Sequence, residues 1–279
     1  FYLIVYIKKK SKGIYRKRPY KKNLFIFGTL FGFGFFLSGI YWITHSLTFD
    51  ENFKILIPFG LILVPLFLSL FFSLTTLFIG PFLNLNLISI LLFSASLSFS
   101  DFIRAKILTG FPWNLWAYSF SWSSEILQIL NKVGLFAFNL ILITMFTIPA
   151  VLFFGSTLSK KTFPILFVAI IFLIFYVFGS HTINQNKIFL DKFNDKFNVK
   201  VISPNFDLEY GLEIEDVENR LIKLIRYSEP NDKIKTLFIW PEGVFSGFSY
   251  IEILELKKIF KENFSKHHFV LFGINRLEK

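Results

Sequence analysis

One carboxylate stands directly after an apolar stretch. Residues 236–240 (TLFIW) are predicted to form a buried strand, and Pro241, Glu242 and Gly243 follow it. Because proline cannot continue a central ladder, the strand ends there, and the carboxyl ends of strands are where α/β folds bind ligands. We expect apolar neighbours to desolvate Glu242 partly, which suits a general base. Its position alone leaves two interpretations open, a catalytic base and a glutamate in a surface turn.

Other reactive side chains are few in this chain. It has no cysteine, which excludes a disulfide framework, a thiolate metal site and a cysteine nucleophile within these 279 residues. A metal site on one helix needs histidines at a defined spacing. The four histidines, which lack that spacing, are His45, His181, His267 and His268. We therefore predict no metal site and no cofactor.

The elements that must hold these groups are predominantly membrane helices. The mean hydropathy is +0.55, and only 18% of the residues are charged, against about a quarter in soluble domains. These values exclude a purely soluble enzyme and a disordered chain. Five uncharged segments are each about long enough to cross the hydrocarbon core as a helix. They are residues 23–44, 55–79, 82–100, 133–155 and 163–180.

A basic stretch sets the expected orientation of these spans. Residues 8–22 (KKKSKGIYRKRPYKK) follow an apolar stub, residues 1–7, which is expected to be the end of an earlier span. Between apolar segments, a cationic run is interpreted as a cytoplasmic loop that touches anionic membrane lipids. This interpretation is favoured over a nucleic-acid arm. Five further crossings then place residues 181–279 outside the cytoplasm.

The first full span is rich in glycine. Gly28, Gly32, Gly34 and Gly39 lie along it, and small residues four apart let membrane helices pack closely. We expect tight packing within one bundle.

The stretch between the third and fourth spans is a second candidate site. Asp101 and Arg104 are one helical turn apart and are expected to pair at the membrane surface, where an exposed pair contributes about 0–1 kcal/mol. Residues 110–113 (GFPW) then break the helix and place aromatic rings at head-group depth. Two interpretations stay open, an interfacial aromatic anchor and a lipid-facing loop beside a site.

Residues 181–279 differ in composition from the apolar half. They hold 15 basic and 15 acidic residues, so the excess charge of +11 lies entirely in residues 1–180. Apolar and amphipathic stretches alternate at the spacing of α/β folds, which predicts a largely parallel or mixed sheet with helices on it. We therefore expect a transmembrane helical domain over residues 1–180 and an α/β domain over residues 181–279. The predicted order in the α/β domain is strand 197–202, helix 212–227, strand 236–240, helix 251–264 and strand 268–274.

Several features together resemble the apolipoprotein N-acyltransferase family, bacterial inner-membrane enzymes that add the third acyl chain to lipoproteins. They are the order of elements, Asp101 with Arg104, and residues 32–43 (GFGFFLSGIYWI), 108–119 (LTGFPWNLWAYS) and 239–243 (IWPEG). The resemblance implies a polytopic α-helical membrane bundle followed by a partial α/β domain, a nitrilase-like αββα sandwich of the carbon–nitrogen hydrolase kind.

The resemblance also implies a catalytic triad of glutamate, lysine and cysteine. Glu242 matches the triad glutamate, whereas the lysine and the cysteine belong to later strands. The only methionine is Met145, and the chain has no cysteine. We therefore expect the chain to be the middle piece of a longer protein and to be inactive by itself.

The reaction implied by the resemblance is a two-step acyl transfer. A thiolate takes an acyl chain from a phospholipid, and the amino group of a diacylglyceryl-modified lipoprotein then attacks the thioester. No metal or cofactor is implied. The family usually carries a glutamine and a tryptophan within the stretch that is SPNFDLEYGLE (203–213) here, and glutamate at position 101. We assign substrate contact to Phe111, Pro112, Trp113, Tyr210 and Trp240.

Two other functions stay open at this point. A membrane-anchored amidase or nitrilase-like hydrolase would use the same sandwich with water as the acceptor. A non-enzymatic transporter or scaffold is the second alternative. Transporters usually carry ionisable residues at mid-membrane depth, and the five predicted spans have none.

Overall fold

The chain forms two compact units, unit 1 (Phe1–Ile188) and unit 2 (Phe189–Lys279). Unit 1 is helical, and unit 2 contains a sheet. The computed structural model describes residues 1–14, 20–107, 110–154, 158–192, 197–206, 213–245 and 247–275.

Unit 1 is built from helices because a helix satisfies its own backbone hydrogen bonds in a bilayer. Its α-helices are α1 (Tyr2–Ile14), α2 (Tyr20–Ile40), α3 (Ile57–Ile79), α4 (Leu87–Arg104), α5 (Ser124–Leu127), α6 (Leu130–Val133), α7 (Leu135–Thr147) and α8 (Leu158–Asp191). Short 3-10 segments adjoin several of them: Tyr41–Thr48, Glu51–Leu56, Gly80–Phe82, Trp116–Phe120 and Ile148–Phe153.

The predicted number of membrane-spanning helices is confirmed in length and composition. Within the part of the chain that the structure describes, five helical stretches are long and apolar enough to cross a membrane. They are Tyr20–Thr48, Glu51–Phe82, Leu87–Arg104, Leu135–Phe153 and Thr162–Asp191.

The sequence predicts a loop over the whole basic stretch, residues 8–22, but the structure has helix at both of its ends. α1 continues into it and α2 begins before its end, while residues 15–19 lie outside the described residues. Lysine and arginine are good helix formers, so a cationic run need not end a helix. The Nζ of Lys8, a residue only 5% exposed, donates to Leu83 O and, at 3.1 Å, to Asn84 Oδ1. Lys8 therefore joins α1 to the turn between α3 and α4.

α8 is longer than the predicted span, residues 163–180. It has 34 residues and ends at Asp191, which makes it about 51 Å long at 1.5 Å per residue, against about 30 Å for the hydrocarbon core. The two units separate after Ile188 rather than after Ser180. The helix continues because residues 181–191 contain neither glycine nor proline to end it.

Small residues bring α2 and α3 together. Gly28 and Gly32 are both buried and face α3. A Cβ added to Gly28 would lie only 2.7 Å from Ser73 Cα. The hydroxyl of Thr76 donates to the carbonyl of Leu24 at 2.8 Å, across the two helices. Small residues permit this approach in membranes, so the predicted close packing within one bundle is confirmed for this pair.

Unit 2 carries a three-stranded parallel sheet in the order β1-β2-β3. Parallel neighbours need a crossover connection, here made by helices. The predicted order of strands and helices is confirmed, except that two helices stand where one is predicted over residues 251–264. The four-layer sandwich stays a prediction. The elements are β1 (Asn198–Val201), α9 (Ile214–Ser228), β2 (Thr236–Ile239), α10 (Tyr250–Glu255), α11 (Lys257–Asn263) and β3 (His268–Leu271).

The core of unit 2 lies between α9 and the sheet. Val217, Leu221 and Leu224 are fully buried and recur at the helical spacing of one face. They cluster with Phe238 of β2. The amphipathic pattern of α9 therefore fixes which face of the sheet it covers.

The close approach of α2 to α3 gives a testable prediction. Gly28→Ala should lower the stability of unit 1 by about 1–3 kcal/mol, because the added methyl group overpacks the helix contact. Gly34→Ala is the matched control, since a Cβ there meets nothing within 4 Å and alanine favours the helix. The measurement is thermal unfolding of the purified protein in detergent. Equal losses in the two variants would contradict the assigned helix contact.

Candidate functional site

Glu242 lies in the turn that follows β2. The side chain is exposed, so the expected partial desolvation by its neighbours is wrong for this structure. The reason is that Val244 and Phe245, each 3% exposed, turn into the core of unit 2 while Glu242 points away from it. Gly273, which follows β3, is its neighbour: a Cβ there would lie 3.7 Å from Glu242 Cγ. The carboxylate therefore stands at the carboxyl edge of the sheet, beside β3.

The turn that carries Glu242 is fixed by glycines and by the cap of α10. Gly243 has a φ of +75° and Gly247 a φ of +89°, values that favour glycine. The backbone N–H and the hydroxyl of Ser249 both donate to Glu252 Oε2 at 2.7 Å. These hydrogen bonds lower the pKa of Glu252 from its ordinary value because they stabilise the carboxylate. The capping box thus ends the turn at a defined position.

Trp240 is a core residue of unit 2 in this structure, and its assignment as a substrate contact stays a prediction. It is 3% exposed, and its indole N–H donates to Ser228 Oγ at 3.0 Å. Its ring stacks on Phe272 with the centroids 5.7 Å apart. A side chain enclosed in this way packs the core of unit 2. Tyr210, the other contact assigned in this half, lies outside the described residues.

In unit 1 the structure brings Phe111, Pro112 and Trp113 together in one segment, residues 110–117, which is irregular up to Leu115 and which we name the aromatic loop. Pro112 is exposed, Phe111 is partly buried, and Trp113 is 51% exposed. The ring of Trp113 meets the ring of Trp42 edge to face at 5.5 Å. These three residues keep the predicted assignment of substrate contact, which the geometry allows and does not test.

A buried ion pair holds the aromatic loop. Asp101 and Arg104 pair at 3.0 Å with side chains 4% and 1% exposed, so the expected exposed pair is wrong. Arg104 Nη1 donates to the carbonyls of Phe111 and Trp113, both at 2.7 Å. The loop can double back over Arg104 because Gly110 adopts a φ of +84°. The pair is enclosed because the loop folds over it.

Asn139 completes this cluster from α7, and sequence reasoning missed it. Its Nδ2 donates to Asp101 Oδ2 at 3.0 Å, and its Oδ1 accepts from the backbone N–H of Ala117, also at 3.0 Å. We call Asp101, Arg104 and Asn139 the clamp. The available signal was an amide side chain inside an apolar span, because polar residues in membrane segments are costly and tend to be functional.

Residues that could hold a metal ion do not gather in the described part of the chain. Within it, no group of three or more His, Asp or Glu side chains forms a candidate metal site. The chemistry available at Glu242 is therefore that of a single exposed carboxylate, and the chemistry of the clamp is hydrogen bonding to the backbone of the aromatic loop.

The two tryptophan positions give a matched prediction. Trp240→Phe should lower the free energy of unfolding of unit 2 by about 1–3 kcal/mol, because it removes buried volume and the hydrogen bond to Ser228. Trp113→Phe should change stability by less than about 0.5 kcal/mol, as exposed substitutions do. Chemical denaturation followed by circular dichroism measures both. A loss for Trp240→Phe no larger than for Trp113→Phe would contradict the core assignment.

Comparison with known proteins supports the resemblance to one family. Residues 13–148 match the apolipoprotein N-acyltransferase N-terminal domain. The chain is similar to the apolipoprotein N-acyltransferase of Rhodopseudomonas palustris, at 28% identity over 79% of this chain and 42% of that protein. It is 31% identical to the Rickettsia typhi protein over 78% of the chain and 42% of that protein, and 29% identical to the Rickettsia prowazekii protein over 91% and 50%. The chain thus spans about half the length of the curated relatives it matches or less, and these similarities support its resemblance to the apolipoprotein N-acyltransferase family.

Proposed function

We propose that this chain is part of an enzyme that transfers an acyl chain from a phospholipid to the N-terminal amine of a diacylglyceryl-cysteine lipoprotein. The resemblance to this family supports the reaction class, because the relatives are named apolipoprotein N-acyltransferase. The observation that carries the proposal onto this chain is the position of Glu242 at the carboxyl edge of a parallel sheet, where α/β folds bind ligands.

In the proposed mechanism Glu242 is the general base. Its carboxylate takes the proton of a thiol, and the thiolate attacks the ester carbonyl of the phospholipid. The carbon–oxygen bond of the ester breaks, and the lysophospholipid leaves as the alcohol after the proton returns from Glu242. The amine of the lipoprotein then attacks the thioester, which forms the amide and regenerates the thiol. The 279 residues contain no cysteine, so in this proposal the thiol is not one of these residues, and a lysine stabilises the oxyanion.

The proposal also includes the fold of unit 2, the membrane in which the protein lies and its orientation there. Three parallel strands with helices between them support unit 2 as part of a nitrilase-like αββα sandwich. Five candidate spans support a multi-pass protein of the bacterial inner membrane. The excess of lysine and arginine in residues 8–22 supports a cytoplasmic position for that stretch. An odd number of crossings then puts residues 181–279 on the extracytoplasmic side.

The role proposed for Glu242 is tested in the full-length gene product. Glu242→Gln should slow formation of the acyl-thioester by about 100-fold or more, because general bases contribute about 10²–10⁴-fold. Glu255→Gln, at an exposed position of α10, should leave the rate unchanged. The measurement is the time course of thioester labelling from a phospholipid with a radioactive acyl chain. Undiminished labelling in Glu242→Gln would falsify the assignment.

A second candidate function is a hydrolase, in which water accepts the acyl group. The exposure of Glu242 favours it, because water can reach the carboxylate. The same labelled protein separates the two reactions. An acyltransferase passes the label to an added diacylglyceryl lipopeptide amine and releases little free fatty acid. A hydrolase releases free fatty acid at the same rate with or without the lipopeptide, and that result would replace the proposed reaction.

The proposed orientation gives a separate prediction. Alkaline phosphatase fused after Asp191 should be active, because this reporter folds only outside the cytoplasm. A fusion after Ile14, at the end of α1, should be inactive and serves as the opposite control. Enzyme activity on intact cells, normalised to the amount of fusion protein, is the measurement. The reverse pattern would overturn the orientation.

A further inference from the structure

Arg104 holds the aromatic loop by geometry as well as by charge. Its planar guanidinium donates to two loop carbonyls and to Asp101, a forked arrangement that the single ammonium of lysine does not reproduce. Its own backbone carbonyl accepts from the N–H of Phe111 at 3.0 Å. Phe111 is therefore fixed through both its N–H and its carbonyl by a single residue of α4.

Burial of the charged clamp costs hydration free energy, which points to a role other than stability. A buried ion pair is often no more stabilising than apolar side chains of the same volume, because both charges lose their hydration. Here the charges of Asp101 and Arg104 balance, and Asn139 satisfies the second carboxylate oxygen. What the clamp adds, and apolar packing could not, is directional contact with three backbone groups of the loop, at Phe111, Trp113 and Ala117.

α2 also holds the loop, through Asn114 and without using any charge. Asn114 donates from Nδ2 to the carbonyl of Phe35 at 3.1 Å. Gly39 lies directly against it: a Cβ there would come within 2.5 Å of Asn114 Cγ. The loop is thus held by both the clamp and α2. A methyl group at Gly39 would move the loop while leaving every residue of the clamp intact.

We infer that Asp101, Arg104 and Asn139 are positioning residues that set the aromatic loop for binding of the lipid substrate. They act through the loop backbone, which presents Pro112 and the half-exposed ring of Trp113. The inference rests on the proposed function for its substrate, a phospholipid acyl donor. Displacing the loop removes binding shared by substrate and transition state, which raises KM and leaves kcat unchanged.

The first experiment measures the loop without any enzyme assay. Amide hydrogen exchange of residues 110–117 in the full-length protein should be about 10- to 100-fold faster in Asp101→Asn and in Gly39→Ala than in the wild type, because local opening becomes easier. Gly34→Ala, which adds a methyl group to an open position of the same helix, should match the wild type. Unchanged exchange in both Asp101→Asn and Gly39→Ala would overturn the inference.

The second experiment measures kinetics with a phospholipid donor and a lipopeptide acceptor. Gly39→Ala and Asp101→Asn should raise the KM for the phospholipid by about tenfold or more and leave kcat within about twofold. Asp101→Glu, which keeps the charge, should restore KM to within about threefold. A purely structural role would reduce the amount of folded protein without changing KM. A lower kcat at unchanged KM, or an unchanged KM despite faster exchange, would overturn the inference.

The two experiments separate failure of this inference from failure of the proposed function. If the wild-type protein transfers no acyl chain, the proposed function is wrong, and the role of the clamp in substrate binding falls with it. If the wild-type protein is active and the variants keep the wild-type KM, only the positioning inference is wrong.

Discussion

The buried ion pair between Asp101 and Arg104 determines the course of the aromatic loop in unit 1. Charges inside an apolar bundle are costly unless an opposite charge and hydrogen bonds compensate them. The carboxylate of Asp101 finds Arg104 and Asn139, and the guanidinium finds two loop carbonyls. To supply those carbonyls, the chain must double back immediately after α4. The left-handed turn at Gly110 makes that reversal possible. The irregular course of the aromatic loop is therefore a consequence of the pair beneath it.

The same constraint explains where irregular backbone occurs elsewhere in unit 1. Backbone groups outside regular helices have no water partner at membrane depth and must be satisfied by protein. Lys8 supplies donors to the turn between α3 and α4, as Arg104 does to the aromatic loop. In unit 2 the parallel ladder pairs the backbone groups of the strands, and Trp240 N continues the pattern by donating to Leu271 O at 2.9 Å. Lys8 and Arg104 are thus buried cations that bind the backbone at places where the chain leaves a regular helix.

Periodicity predicted the elements well but said little about the surroundings of single side chains. The strands and α9 follow from apolar spacing, and the five spans follow from length and hydropathy. The spacing of Asp101 and Arg104 predicted a pair, yet an i,i+3 spacing does not say whether the pair faces lipid or protein. One carboxylate oxygen of the buried pair is satisfied by Asn139, which is 35 residues away from Arg104 in the chain. Local patterns cannot supply such a contact.

Alternation along β2 accounts for the burial of Trp240. Thr236 and Phe238 are buried, and their neighbours Leu237 and Ile239 are only partly so. A period of two puts Trp240 on the same face as Phe238 and therefore in the core. The sequence TLFIW is almost continuously apolar, so this alternation is visible in the structure and not in the residue types.

The two candidate places share one design. In unit 2 the inward ring of Trp240 anchors the end of β2, so that Glu242, two residues later, stands outside the core. In unit 1 the inward guanidinium of Arg104 anchors the carbonyls on either side of Pro112, which leaves Pro112 and much of Trp113 exposed. In each case a buried side chain fixes the backbone, and this fixed backbone holds the adjacent exposed residues in position. Such support favours substrate binding, because ordering a mobile side chain or loop on binding costs free energy, and a preorganised one avoids that cost.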